Sequence, residues 1–180
     1  MKKVDLQKTE YNEFYQKYIS KLPNNLELHN GYDSGEKFVS QFFSSITSDK
    51  LDYKYQPEKW SIKEVFQHII DTERILLNRC FRIAREDKTP LPAFEENSYV
   101  LPSNASTKTI ESLLNEYTVS RANSMVLLQS LTEKNLNAIG IASDSPLSAR
   151  AAAFIILGHE RWHIDIIKER YLLNKKNKIV

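Results

Sequence analysis

Two of the chain's four histidines, His159 and His163, stand four residues apart in the run Gly158-His159-Glu160-Arg161-Trp162-His163. The stretch around them, residues 147–171, reads as helix, so this spacing stacks the two imidazoles one turn apart on one face. A pair so placed can grip one divalent metal, for which neutral imidazole is the commonest ligand. Three readings compete. Formally the run is HExxH, in which two histidines bind zinc and the glutamate activates water for proteolysis. Against that reading, only 17 residues follow His163 and no convincing strand precedes it to hold an extended peptide. In the second reading His68 supplies a third ligand from another helix, and three imidazoles with a water make an open, catalytic-type site. In the third the histidines are unrelated helix-edge side chains hydrogen-bonded to neighbours. An i, i+4 pair with a further histidine on a facing helix favours the metal. Glu160 lies about 100° around the helix from the histidine margin, so it is not assigned as a base.

Helices must present these side chains. Ser61-Ile62-Lys63-Glu64 is a capping box, flanked by Trp60 and Val65 as a hydrophobic staple. From there to about residue 85, Ile62, Val65, Phe66, Ile69, Leu76, Leu77, Cys80 and Ala84 form one stripe with His68 at its edge. Asp71, nearly one turn after His68, is a candidate acceptor to orient it, or a further ligand. Another helix spans about 107–131 on Ile110, Leu113, Leu114, Tyr117, Met125 and Leu128. Glu73 and Arg121 fall within the apolar stripes of these two helices, and they are expected to pair inside the protein, the alternative being separate partners or exposure at a groove. An earlier helix at about 32–46 carries Phe38, Val39, Phe42, Phe43 and Ile46. For the last helix, Ser145 reads as the N-cap and Pro146 as the first helical residue. The connection 86–105, with three prolines, is longer than a helical hairpin needs. It reads as a crossover and as the wall of a pocket. Residues 1–29 form a peripheral segment with a short helix on Tyr11, Phe14, Tyr15, Tyr18 and Ile19, and His29 reads as a loop or helix-start residue.

The 180 residues read as one domain with a bundle core at about 30–174. Scarce glycine (4 residues) suits helices rather than a turn-rich β fold. A net charge of +2 does not argue for nucleic acid, and the Lys175-Lys176-Asn177-Lys178 tail reads as a solvated, frayed end. A single cysteine, Cys80, excludes an intramolecular disulfide framework, suits a reducing compartment, and sits at a helical core position. Without an apolar leader or membrane-length run, the protein is expected to be cytoplasmic and not membrane-bound. Surplus aromatics such as Phe42, Phe43 and Tyr55 suggest a homodimer.

The run from Tyr53 through Pro57, Trp60 and the capping box to His68 resembles the second-helix signature of the DinB-like (damage-inducible) superfamily. So do Asp71-Thr72-Glu73-Arg74, Arg79, Arg82 to Arg85, Asp87 to Pro92, Arg121, Gly158-His159-Glu160, His163-Ile164 and Glu169-Arg170-Tyr171. The resemblance covers roughly residues 30–172. It implies an all-α, four-helix bundle of up-down-down-up connectivity with a long crossover between the second and third helices. It also implies one divalent metal, typically zinc or nickel, on a triad that maps to His68, His159 and His163. Family members include thiol transferases that join a low-molecular-weight thiol to an electrophile, a thiol-dependent isomerase, and many proteins of no known activity. Arg161-Trp162 stands where the family varies, which bears on pocket shape. No basic recognition surface supports DNA binding.

The chain is therefore expected to be a metal-dependent enzyme, a transferase or hydrolase acting on a small-molecule substrate, with a low-molecular-weight thiol as a possible second cofactor. The competing class is a non-catalytic helical bundle that binds a ligand or partner around a structural or vestigial metal site.

Overall fold

The structure, a computed structural model, describes residues 1–173. The lysine-rich tail and residue 174, given above as the end of the bundle, lie outside the described residues. Three 3₁₀ turns (Lys3–Asp5, Lys8–Glu10, Glu13–Tyr15) lead into a single α turn, α1 (Gln16–Ile19). Then come α2 (Leu28–Ser44), the short α3 (Ser48–Leu51), and α4 (Ile62–Ala84). The crossover holds an α turn, α5 (Asn97–Val100), and a 3₁₀ turn (Ala105–Thr107) before α6 (Ile110–Gln129) and α7 (Glu133–Asn137). A hairpin, β1 (Ile139–Ala142) and β2 (Ser145–Ser148), precedes α8 (Ala149–Ile166), which ends in a π-helical turn, Ile167–Leu172.

The four long helices α2, α4, α6 and α8 form the bundle. Each of α4 and α2 packs against both α6 and α8. Gly31 faces Leu157 and Gly35 faces Glu160, so α2 and α8 run in one direction. Gln67 bonds Glu116 and Glu73 bonds Arg121, so α4 and α6 also run together. The Tyr171 hydroxyl donates to the Trp60 carbonyl, setting the end of α8 beside the start of α4 and opposing the two pairs. This is the expected up-down-down-up bundle. Because α4 and α6 are parallel, the chain between them must run the length of the bundle, which is why that connection is long.

The capping box at Ser61 is present: Glu64 N–H donates to Ser61 Oγ (3.3 Å) and Ser61 N–H to the Glu64 carboxylate (2.6 Å). Cys80 is fully buried, and burial pushes its thiol up to about 12, as befits a small core residue. Phe43 is also core, stacked on Phe66 with ring centroids 3.7 Å apart, so it is not a surplus surface aromatic; Phe42 and Tyr55 are partly buried. No described helix is long and apolar enough to cross a membrane.

Two expectations are corrected. Ser145 and Pro146 do not start the last helix. They pair with Ala142 and Ile141 in the hairpin, and the helix cap is Ser148, whose Oγ accepts from Ala151 N–H at 3.0 Å. The hairpin turns on Ser143 and Asp144, both at positive φ (51° and 57°), the geometry two-residue hairpins require but rarely with this pair of residues. The N-terminal segment is not peripheral either. Tyr11, Tyr18, Ile19 and Leu22 belong to the main core beside Leu76, Phe154 and Ile155.

Candidate metal centre

His68 comes from the second turn of α4, and His159 and His163 from the second half of α8. The antiparallel packing of these helices brings the three rings together. His159 Nε2 lies 3.1 Å from His68 Nε2 and 3.0 Å from His163 Nε2. One ligand atom from each ring falls within 4.8 Å of the others. Burial holds His159 and His163 well below the usual imidazole range, helped by the neighbouring rings and Lys17, and it lowers His68 to about 4. All three are therefore neutral at physiological pH. Neutral imidazoles cannot satisfy both contacts by hydrogen bonding. His159 Nε2 can carry a hydrogen and donate once, or present one lone pair, but it cannot do both. Three lone pairs converging on one ion resolve the conflict. A tetrahedral site with metal–nitrogen bonds of about 2.0–2.1 Å separates its nitrogens by about 3.3 Å, close to the two separations from His159 Nε2. The donor set thus fits a borderline divalent metal.

Aromatic rings fix the imidazoles from outside. Trp60 lies 4.8 Å from His68, Tyr18 meets His159 edge-on at 5.1 Å, and Trp162 meets His163 edge-on at 4.8 Å. Asp71 is not among the supports. It accepts from Gln67 and Arg74 (3.1 Å each) rather than from His68. His29 lies in the first turn of α2, apart from the triad.

The histidines face a cavity of about 490 Å³. Phe94 and Glu96 of the crossover wall it, as the sequence led one to expect. Tyr15, Tyr18 and the hairpin residue Ser143 also wall it, and these were not foreseen. One sequence signal pointed to the first two. Gly158 interrupts a helix, at a cost of about 1 kcal/mol relative to alanine, which calls for a packing reason. A Cβ there would stand 2.2 Å from the Tyr18 carbonyl oxygen, so the glycine lets the N-terminal segment lie directly on α8.

A model of the DinB superfamily matches residues 33–167. The chain belongs to the DinB superfamily. The matched span includes all three histidines but stops short of Tyr15 and Tyr18, so part of the cavity wall lies outside it. Among solved structures, YfiT from Bacillus subtilis, "a probable metal-dependent hydrolase with an unusual four-helix bundle topology", aligns with a TM-score of 0.68 and 16% identity over 92% of this chain and 90% of its own. The mycothiol-dependent maleylpyruvate isomerase aligns with a TM-score of 0.61 and 16% identity, over 81% of this chain and 61% of its own length. At these identities the likeness is one of fold. No curated protein matches the sequence.

Behind His159, Glu160 turns away from the histidine margin, as expected, and into the bundle, which was not foreseen. The expected Glu73–Arg121 pair is there, with Glu160 as an unforeseen third member. Arg121 donates to Glu73 at 3.0 Å and also to Glu160, while Ser124 donates to Glu73 (2.6 Å) and Tyr117 to Glu160 (3.2 Å). Arg121 is fully buried, its guanidinium 4.7 Å from the Tyr32 ring centroid and 5.2 Å from that of Tyr117. Burial pushes the Glu160 carboxyl up to about 7 despite Arg121. This network locks α4, α6 and α8 together one layer beneath the histidines.

Proposed function

We propose that the protein is an enzyme that uses one divalent metal, zinc or nickel, held by His68, His159 and His163, to act on a small molecule in the adjoining cavity. One observation carries this reading: three neutral imidazoles gather on the wall of that cavity, with His159 Nε2 3.0–3.1 Å from the other two Nε2 atoms and one ligand atom of each ring within 4.8 Å of the others. A bound metal supplies Lewis acidity there and brings a thiol or water toward its anionic form near neutral pH. The chain's own residues hold the three imidazoles fixed, shield them with Trp60, Tyr18 and Trp162, and leave the cavity side open. The chemistry supported is transfer of a low-molecular-weight thiol to an electrophile or hydrolysis of a small substrate. The names of the two structural neighbours, one "a probable metal-dependent hydrolase" and one a mycothiol-dependent isomerase, agree with that range. Glu160 has no part as a base, since it faces Arg121.

The test is elemental analysis of untagged protein beside His159→Ala and His163→Ala variants, followed by thiol-transfer and hydrolysis assays on metal-loaded protein. One equivalent of zinc or nickel, lost in both variants, is expected. No metal after reconstitution sinks the proposal and leaves a helical ligand-binding bundle.

A further inference from the structure

His68, Thr72, Leu76 and Arg79 lie at successive turns of α4, and all four line the cavity. Arg79 stands three turns beyond His68 on the same helical face, about 16 Å along the axis. Side chains on a helix lean toward its N-terminus, so the Arg79 guanidinium leans back toward the histidines. It is 3% exposed.

Its partners are what set it apart. Arg79 donates to the Tyr15 hydroxyl (3.2 Å), the Pro92 carbonyl (2.8 Å) and Ser143 Oγ (3.0 Å), all of them neutral. The other two buried cations among the described residues, Lys63 and Arg121, each meet a carboxylate. Among the described residues no ion pair involves Arg79. A buried charge without a counter-charge is costly to hold. Three chain segments nevertheless hold this one in place, and they are the segments that wall the cavity. At the lip, the Lys17 ammonium lies 4.0 Å from the Phe14 ring centroid, also without an ion pair.

We infer that Arg79 is the anchor for the carboxylate of a small organic acid with an apolar body, bound between the guanidinium and the three histidines. Three of the five guanidinium N–H groups are taken, which leaves two, and Tyr15, accepting from Arg79, keeps its own O–H to donate. Three donors suit the two oxygens of a carboxylate, and Phe94, Leu76 and Ala142 suit the apolar remainder. That this acid is a substrate rests on the proposed metal enzyme; that it binds does not.

The experiment is calorimetric titration of the protein as isolated with phenylacetate and with its neutral isostere phenylacetamide. The acid is expected to bind at least about tenfold more tightly, the scale of charge-assisted hydrogen bonds. Arg79→Gln removes that preference without changing metal content. Since Arg79 also ties three segments together, Tyr15→Phe provides a milder variant, expected to weaken the acid several-fold and leave the amide unchanged. Equal affinities in the native protein overturn the inference, and so does a preference that a folded Arg79→Gln variant keeps. If that surviving preference vanishes in His163→Ala, the acid sits on the metal: the anchor fails while the proposed function stands. A metal-free protein whose preference still depends on Arg79 has the reverse outcome. Tighter binding of phenyl phosphate through Arg79 overturns the carboxylate assignment.

Discussion

Replacing Arg121 by leucine tests whether the buried network holds the bundle together. Arg121 is the one cation between two fully buried carboxylates, and its loss leaves Glu73 with the Ser124 hydroxyl and Glu160 with the Tyr117 hydroxyl as their side-chain donors. Breaking a buried pair by removing one partner costs about 3–5 kcal/mol, because the remaining charge has no compensation in a dry interior. For a chain of this size that lowers the Tm by roughly 10 °C. Urea unfolding followed by circular dichroism gives the free energy directly. The same reasoning requires that Glu73→Gln and Glu160→Gln, added to Arg121→Leu, restore part of the loss, since the amides remove the uncompensated charge. An Arg121→Leu variant within about 1 kcal/mol of the native protein refutes the argument, given the scale of a broken buried pair. A triple variant less stable than the single one refutes it too.

Gly158→Ala drives a methyl group against the Tyr18 carbonyl. The gain in helix propensity does not offset that clash, and a net loss of about 1–2 kcal/mol with altered Trp162 fluorescence is expected, whereas a rise in Tm means the close approach is not there. Asp71→Ala and His29→Ala should keep a full equivalent of metal, measured by elemental analysis; loss in either returns that residue to the ligand set. A fourth prediction concerns acid stability. Burial raises Glu10, but hydrogen bonds from Arg150, Ser148 and the Gln7 backbone outweigh it and hold the folded carboxyl below its ordinary value. A depressed folded pKa stabilises the protein above the unfolded value, near pH 4.3, and that contribution is lost as pH falls through the lower folded value. Glu10→Gln should therefore show its largest deficit at neutral pH and a shrinking one in acid, read from urea midpoints across pH. A deficit that does not vary with pH contradicts the ion pair.

The features legible from sequence share one property, which is that neighbouring residues determine them. The i, i+4 geometry of His159 and His163, the capping box at Ser61, the turn of Glu160 away from the histidine margin and the core position of Cys80 all follow from helix geometry within a turn or two. The Glu73–Arg121 pair was legible because an unpaired charge in an apolar stripe is too costly to stand alone, although Glu160, the glutamate of the HExxH pattern, was not recognised as its third member. The hairpin escaped because Ser143-Asp144 carries no glycine to mark a positive-φ turn, and Ser145-Pro146 imitated a helix start.

Sequence by itself thus determined four amphipathic helices, a connection long enough to run the length of a bundle, and the one-turn spacing of His159 and His163. Only the tertiary structure decided that His68 meets a pair 91 residues away, that the N-terminal segment closes on Gly158, and that Tyr15, Pro92 and Ser143 gather around Arg79. Those encounters depend on helix rotation and loop docking, which the packing of the whole chain sets and no local pattern specifies.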